Sequence, residues 1–230
     1  MNNYKRIKTY YDKFGSRYDS ERIEGYYSFI NEIEIDIVKK YGKGKKTLEI
    51  GCGTGIILNE VNKFAKEAIG IDLSSGMLED AKKKGLNVKR ANATKLPFGD
   101  KSFDVVYSFK VLAHIPEIEK VISETHRVLK DDGIAILEFY NPYSIKYIAN
   151  NFSRASKKVF LRFDSLAKVK ELLKKTFTLI NVKGARIITP SSFFFRIPIL
   201  KDILSQAEKL LSQTVLNRFA GYLIVIAKKK

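Results

Sequence analysis

This chain is short of cysteine, of histidine and, over its last third, of acid. A single cysteine, Cys52, among 230 residues excludes an intrachain disulfide framework and fits a reducing compartment. Two histidines beside that cysteine do not supply a Cys/His zinc site, so no metal is expected. No apolar run approaches the roughly 20 residues that cross a bilayer, and the N-terminus carries no signal-peptide apolar segment. The expectation is a cytoplasmic protein without a transmembrane segment. Internal repeats and low-complexity linkers are missing as well, and a hydrophobic fraction of 45% is enough for a sizeable core in one large domain.

Residues 1–150 hold 25 Lys+Arg against 21 Asp+Glu, whereas residues 151–230 hold 17 against 4, which places +13 of the net +17 in the last third. Such asymmetry marks either an anionic partner or a lysine-rich solvated surface. The second reading draws on the ratio of 32 Lys to 10 Arg, on Lys168, Lys170, Lys174 and Lys175 at the wet face of a helix, and on the Lys228-Lys229-Lys230 tail. Nucleic acid is a partner that this charge allows, yet no RNA-binding module is present.

What is there is concentrated in Leu48-Glu49-Ile50-Gly51-Cys52-Gly53-Thr54-Gly55. An apolar run, Thr47 to Ile50, ends in three glycines at alternate positions, and the amphipathic Ile56-Ile57-Leu58-Asn59-Glu60-Val61 follows at once. That order reads as strand, tight turn, helix. Glycine lets the backbone turn sharply and lets a ligand approach with no Cβ in the way. The helix start offers unpaired N–H groups to an anionic group. A nucleotide-like cofactor is the expected occupant. A dinucleotide fingerprint would need glycine in place of Ile56, and a phosphate-binding Walker loop would need Lys-Ser or Lys-Thr after Gly55; the chain has neither.

Strand and helix patterns alternate from 46 to 140, which predicts a doubly wound, mostly parallel sheet with the cofactor at the carboxyl ends of its strands. Ala68 to Asp72 reads as a second strand ending in a carboxylate. It lies about 20 residues beyond the glycine turn, where an acid in such folds accepts hydrogen bonds from ribose. Asn87 to Ala93 ends a third strand, Ser102 to Ser108 forms a fourth, and Arg127 to Gly133 is the turn before a fifth, Ile134 to Phe139. Phe177 to Ile188 and Gly221 to Ala227 are the last two. Tyr26, Phe29, Ile30, Ile33 and Ile37 have helical spacing, so residues 26–40 should lie as a helix against the sheet. Ser74 or Ser75 is placed to cap the helix after Asp72, and Asp164 or Ser165 to cap one that runs to about Lys175.

The E-x-G-x-G-x-G run from Glu49 to Gly55 resembles the first motif of the class I S-adenosylmethionine-dependent methyltransferases. Leu73-Ser74-Ser75-Gly76-Met77-Leu78 resembles that family's D-x-S-x-x-M-L stretch, and the ordered motifs together cover roughly residues 10–140. The nearest likeness is to the small-molecule subgroup that includes the ubiquinone and menaquinone biosynthesis methyltransferases. The resemblance implies a Rossmann-like α/β fold: a doubly wound, seven-stranded, mostly parallel sheet with an antiparallel last strand. It implies one domain over 1–230, with an N-terminal helical segment at 1–45, a cofactor-binding core at 46–140, and helical insertions at 141–163 and 190–217. It also implies S-adenosylmethionine as cofactor, S-adenosylhomocysteine as product, and a small molecule as methyl acceptor.

Site roles follow from the same resemblance. Glu49 meets the cofactor's ammonium; Gly51, Cys52, Gly53 and Gly55 admit its methionine moiety; Asp72 takes the ribose. Leu73 and Met77 sandwich the adenine, with Asn92 and Ala93 at its edge and Ser108 also on the cofactor side. Asn92 stands where the family usually has Asp, and it keeps an acceptor oxygen without the charge. Tyr18 is the aromatic expected to touch cofactor or substrate, or else packs the N-terminal helix. His114, in a segment resembling the family's H-x-P, acts as base or donor, or is a buried histidine that holds a loop. Tyr140 and Tyr143 are expected to line the substrate pocket. Cys52 has no basic neighbour to make it a thiolate.

A hairpin needs only a short turn, so residues 190–217 call for a role. They are expected to cap an apolar or aromatic substrate, to pad the sheet or a dimer contact, or to touch a membrane through Phe193-Phe194-Phe195 beside Arg196. Two other functions stay open on sequence alone: an RNA or protein methyltransferase that uses the basic C-terminal third, and a non-catalytic S-adenosylmethionine-binding protein.

Overall fold

The computed structural model describes residues 9–12, 19, 22, 25–152, 160–189, 195, 198–212 and 214–230. In chain order the elements are α1 (Gly25–Gly42), β1 (Lys46–Ile50), α2 (Ile56–Asn62), β2 (Glu67–Asp72), α3 (Ser75–Lys83), β3 (Val88–Arg90), β4 (Phe103–Ser108), α4 (Ile118–Val128) and β5 (Leu129–Tyr140). Then come α5 (Ile145–Phe152), α6 (Leu166–Leu173), β6 (Phe177–Ala185), α7 (Pro198–Leu211) and β7 (Tyr222–Lys229), with short 3-10 turns at Leu112–His114 and Val215–Phe219.

The strands form one seven-stranded sheet in the order β3-β2-β1-β4-β5-β7-β6. The β1–β2, β1–β4, β2–β3 and β4–β5 pairs are parallel, and β7 runs antiparallel to both β5 and β6. The Rossmann-like sheet with an antiparallel last strand is therefore present. Because β1 is flanked by β2 on one side and β4 on the other, the chain reverses its winding at β1, and a crevice opens beyond the carboxyl ends of β1 and β4.

Period-2 alternation gives the sheet two apolar faces. Val105, Tyr107, Ile134, Ile136, Ile224 and Ile226 face α1, α2 and α3. Val106, Ala135, Leu137 and Val225 face α4 and α6. On α4, Ile118, Val121, Ile122, Thr125 and Val128 are buried at helical spacing. Each such aliphatic side chain stabilises the fold by about 1.5–3 kcal/mol. The α1 face has an unusual feature: Glu34, Glu49 and Glu138 are all buried in it.

Several boundaries differ from the sequence reading: the third strand ends at Arg90 rather than Ala93, the last runs on to Lys229, and two further shifts have local causes. The fifth strand begins at Leu129 rather than Ile134, because Leu129 pairs with Phe103 ahead of a register shift and Asp132 turns within the strand at φ 63. β6 ends at Ala185 rather than Ile188. Arg186 takes a left-handed φ of 62, and the N–H groups of Ile187, Ile188 and Thr189 all donate to the Glu208 carboxylate of α7. Of the two pairs of expected caps, Ser74 caps α3 by accepting from Met77 N–H (3.2 Å), and Ser165 caps α6 by accepting from Lys168 N–H (3.3 Å). Asp164 instead takes a two-pronged pair from Arg162 at 2.6 and 3.0 Å.

Candidate cofactor and acceptor site

The crevice begins where the chain leaves β1. Gly51 and Cys52 both donate to Ile71 O, at 2.7 and 2.9 Å, which ties the glycine turn to the end of β2. Gly51, Gly53 and Gly55 have φ of 76, 54 and 80, in the left-handed region that glycine adopts without strain. A Cβ on Gly51 would collide with the side chain of Val111, and one on Gly55 with Leu86 of the α3–β3 connection. Gly51 and Gly53 line the crevice, whereas Gly55 serves the close approach of α2 to α3 and begins α2.

Asp72 closes β2 and organises both sides of the crevice. Its Oδ2 accepts Gly53 N–H at 2.9 Å and its Oδ1 accepts Ser74 N–H at 2.8 Å. A carboxylate has about four acceptor sites, so Asp72 keeps capacity to accept from a ligand hydroxyl. Beside Asp72 the crevice is lined by Leu73, Met77, Ala91, Asn92 and Ala93, which form an apolar slot with an amide at its edge. Asn92 Oδ1 already accepts Thr94 N–H at 3.0 Å. The cavity volume of this crevice, which is open to solvent on one side, is about 110 Å³.

A smaller polar recess shares Gly51, Gly53, Phe109 and Lys110 with this crevice and is also lined by Glu49, Arg22 and Cys52. Glu49 is buried, and Tyr107 donates to it at 3.2 Å. Burial pushes the Glu49 carboxyl up to about 8, the Tyr107 hydrogen bond only partly opposing this. Burial likewise pushes the Cys52 thiol up, so Cys52 is a packing residue here and not a nucleophile. Lys110 Nζ is 2.6 Å from the Glu34 carboxylate and 3.2 Å from Asn31 Oδ1.

At the other end of the crevice His114 and Tyr11 form a pair. Tyr11 lies in the described N-terminal helical turn, and its hydroxyl is 3.3 Å from His114 Nε2. His114 Nδ1 lies 3.0 Å from Phe160 O, which can only accept, so Nδ1 carries the proton and Nε2 accepts from Tyr11. Burial holds the histidine below its ordinary pKa, in the neutral form. Phe160 belongs to the first insertion, so that segment reaches the site through its backbone.

The expected site residues separate into groups. Glu49, Gly51, Cys52, Gly53, Asp72, Leu73, Met77, Asn92, Ala93 and His114 surround the crevice and its recess. Ser108 is wholly buried and donates to Ile50 O at 2.9 Å, a tether between β4 and β1 outside the lining. Tyr140 ends β5 behind His114, with ring centroids 6.4 Å apart, while Tyr143 is 67% exposed and apart from the crevice. Tyr18, Phe193 and Phe194 lie outside the described residues. Phe195 is buried against Tyr26, at 5.0 Å between rings, and α7 packs on α1, so among the described residues the second insertion contributes nothing to the crevice lining. Sequence reasoning missed Tyr11 and Asp12. Asp12 accepts from Ser74 Oγ at 2.6 Å and Gly76 N–H at 3.2 Å, which docks the N-terminal turn on the start of α3. Both residues fall in the Tyr10-Tyr11-Asp12 stretch, where three polar residues in a row offered no periodicity to choose between them.

These features fit S-adenosylmethionine. The slot beside Asp72 suits a flat base and a diol, the Cβ-free glycines leave room for a chain close to the backbone, and the Glu49 carboxyl in the recess suits an ammonium. A model of the family described as a methyltransferase domain matches residues 48–137. The uncharacterized protein MJ1252 of Methanocaldococcus jannaschii is 34% identical over 242 residues, covering 97% of this chain and 90% of that one. The demethylmenaquinone methyltransferase of Geobacillus kaustophilus is 34% identical over 145 residues, covering 57% of this chain and 61% of that enzyme, so this chain spans less than two thirds of its length. A solved structure described as an S-adenosylmethionine-dependent methyltransferase and possible histamine N-methyltransferase, from Thermotoga maritima, superposes with a TM-score of 0.71. It shares 22% identity and covers 97% of this chain and 100% of that one, a likeness of fold alone.

Proposed function

We propose, from the premise that this chain belongs to the class I S-adenosylmethionine-dependent methyltransferase family, that it methylates a small, largely apolar or aromatic molecule. The cofactor is S-adenosylmethionine, which when bound supplies a methyl group activated on a sulfonium centre. The observation that carries the small-molecule reading is the acceptor end of the crevice, where Tyr11, Phe109, Val111, His114 and Ile115 converge. The likeness to an enzyme named for demethylmenaquinone, whose name denotes a small acceptor, supports it.

The chain's own residues have three tasks in this reading. Glu49, Gly51, Gly53 and Asp72 hold and orient the cofactor, so that the reacting atoms meet in line. Phe109, Val111 and Ile115 exclude water. Tyr11 and His114 take the acceptor's proton: it passes to the Tyr11 oxygen as the Tyr11 proton passes to His114 Nε2, leaving an imidazolium braced by Phe160 O.

The test follows methyl-labelled S-adenosylmethionine in an extract supplied with the purified protein. Label in the low-molecular-weight fraction is expected. Label confined to precipitated RNA or protein would remove the small-molecule reading and favour the basic C-terminal third as a macromolecular contact.

A further inference from the structure

The buried acids of the α1 face gather around one lysine. Lys110 follows β4 with a left-handed φ of 60, uncommon for a residue that carries a side chain. Its backbone N–H donates to Glu138 Oε1 at 3.0 Å. Its ammonium lies 2.6 Å from the Glu34 carboxylate and 3.2 Å from Asn31 Oδ1, both on α1. Glu138 is hydrogen-bonded in turn to Glu34. Burial, with Glu34 beside it, pushes the Glu138 carboxyl up to about 8, so it keeps its proton at neutral pH and adds no second charge against Lys110. Helix α1 and strand β5 thus fix this lysine from two directions.

Lys110 is nevertheless not sealed in the core. The Glu34 side chain is fully buried, whereas that of Lys110 is 12% exposed and lines both the crevice and the polar recess. The recess is a cavity of about 50 Å³ that shares Gly51, Gly53, Phe109 and Lys110 with the crevice. Glu49 lines the same cavity, near enough for the Lys110 charge to oppose the rise of its carboxyl pKa. A cation and an acid therefore share one small space beside two residues without a Cβ. An ammonium is a compact charge with three rotatable donors, so it can serve Glu34 and a ligand oxygen together. The second cation on the recess wall, Arg22, has its guanidinium over the Tyr27 ring at 4.2 Å.

This pairing of opposite charges matches the amino-acid end of S-adenosylmethionine, which carries an ammonium and a carboxylate on one carbon. We infer that Lys110 binds the cofactor's carboxylate while Glu49 takes its ammonium, so that the recess selects a zwitterion. Lys110 becomes the residue that tells the intact cofactor from nucleosides lacking the carboxylate. The inference goes beyond the choice of acceptor and holds whatever molecule is methylated.

Three ligands separate the outcomes: S-adenosylhomocysteine, its decarboxylated analogue, which keeps the amine, and its deaminated analogue, which keeps the carboxylate. Each is titrated by calorimetry into the full chain at pH 8. The parent should bind S-adenosylhomocysteine at least about tenfold more tightly than the decarboxylated analogue. In Lys110→Met the affinities for S-adenosylhomocysteine and for the deaminated analogue should fall by the same factor, at least about tenfold. The decarboxylated analogue should bind within about threefold of its parent value. Glu49→Gln should show the mirror pattern, weakening the two ligands that carry the amine and sparing the deaminated one. Lys110→Met strands Glu34 without its cation, a change that destabilises a buried pair. The double variant Lys110→Met/Glu34→Gln removes both charges and should repeat the result of the single one. Lys110→Arg, which keeps a cation there, should keep the preference for the carboxylate.

Equal loss of all three ligands in both lysine variants would overturn the anchor and leave Lys110 as a staple that shapes the turn after β4. A carboxylate preference that survives in the double variant, or that disappears in Arg22→Met while Lys110→Met retains it, would overturn it as well. A parent that binds none of the three would overturn the cofactor's fit to the recess, and the anchor with it. Transfer of label to a macromolecule in the extract experiment bears on the acceptor alone, so the two readings fail separately.

Discussion

Glu49 and Tyr107 stand side by side on the parallel strands β1 and β4, and the tyrosine hydroxyl donates to the carboxyl at 3.2 Å. The hydrogen bond does not offset the burial, and the Glu49 carboxyl rises from 4.5 to about 8. A cofactor ammonium needs the ionised form. Binding S-adenosylhomocysteine at pH 7 should therefore release a proton, and affinity should climb between pH 7 and 9, by up to about tenfold per unit below the Glu49 value. Glu49→Gln should flatten that slope and weaken binding. The folding linkage runs the other way. The folded value lies above the unfolded one, so this group's stabilising contribution is complete below about 4.5 and is lost as pH rises through about 8. The ligand-free parent should thus lose stability relative to Glu49→Gln across that window. Calorimetry in buffers of differing ionisation enthalpy, with urea titrations at each pH, measures both; an affinity independent of pH would refute the assignment.

The glycine turn makes a sharper demand at Gly51 than at its neighbours. An alanine Cβ there would lie 2.7 Å from Val111 Cγ1 and closer still to Cγ2, at a φ of 76 that side chains avoid. Gly51→Ala should cost about 1–3 kcal/mol of stability and at least ~tenfold in S-adenosylhomocysteine affinity. Adding Val111→Ala should relieve the overlap but not the backbone strain, so recovery should be partial. Full recovery would mean that space alone decides the position, and no loss in the single variant would mean that the turn yields.

This contrast marks what could be read in advance. The strand–turn–helix at 47–61 and the acid at Asp72 were legible because they are local: glycine spacing, an apolar run and a strand-end carboxylate all lie within a few residues of one another. The sheet was legible because its strands alternate with helices in order. What escaped depends on contacts between distant segments. Tyr11 meets His114 and Asp12 meets Ser74 only after the N-terminal turn docks across the crevice. Ser108 sits at a strand end like a site residue, yet its hydroxyl is spent on Ile50 O. Three glutamates in apolar surroundings, Glu34, Glu49 and Glu138, belong to three elements that only the fold brings onto one face.

The Tyr11–His114 pair should set the rate rather than cofactor affinity. Tyr11→Phe and His114→Asn should each lower kcat by about 10²–10⁴-fold, with S-adenosylhomocysteine binding within about threefold of the parent. The double variant should be no worse than the poorer single one, because the two act as one relay. Since burial depresses the His114 pKa, the base stays competent through neutral pH, and activity should fall only on acidification below the ordinary histidine value of 6.5. Additive losses in the double variant, or an unchanged kcat in Tyr11→Phe, would mean that the acceptor loses its proton to solvent.

Glu208 tests whether the second insertion is bracing or machinery. Its carboxylate, fully buried on α7, accepts from Ile187 at 2.8 Å, from the N–H groups of Ile188 and Thr189 at 3.1 and 3.0 Å, and from the Thr189 hydroxyl at 2.7 Å. Every partner is a donor, and an amide in the same place would turn an NH₂ toward some of them. Glu208→Gln should therefore cost about 2–4 kcal/mol in urea unfolding, close to the loss in Glu208→Ala, because donors are left unpaired in both. Amide exchange at Ile187–Thr189 should quicken while the exchange of β1 and β4 stays slow at moderate denaturant. Cofactor affinity should hold, since no described residue of α7 lines the crevice. If Glu208→Gln instead abolished turnover of a folded, cofactor-binding protein, α7 would have to reach the acceptor.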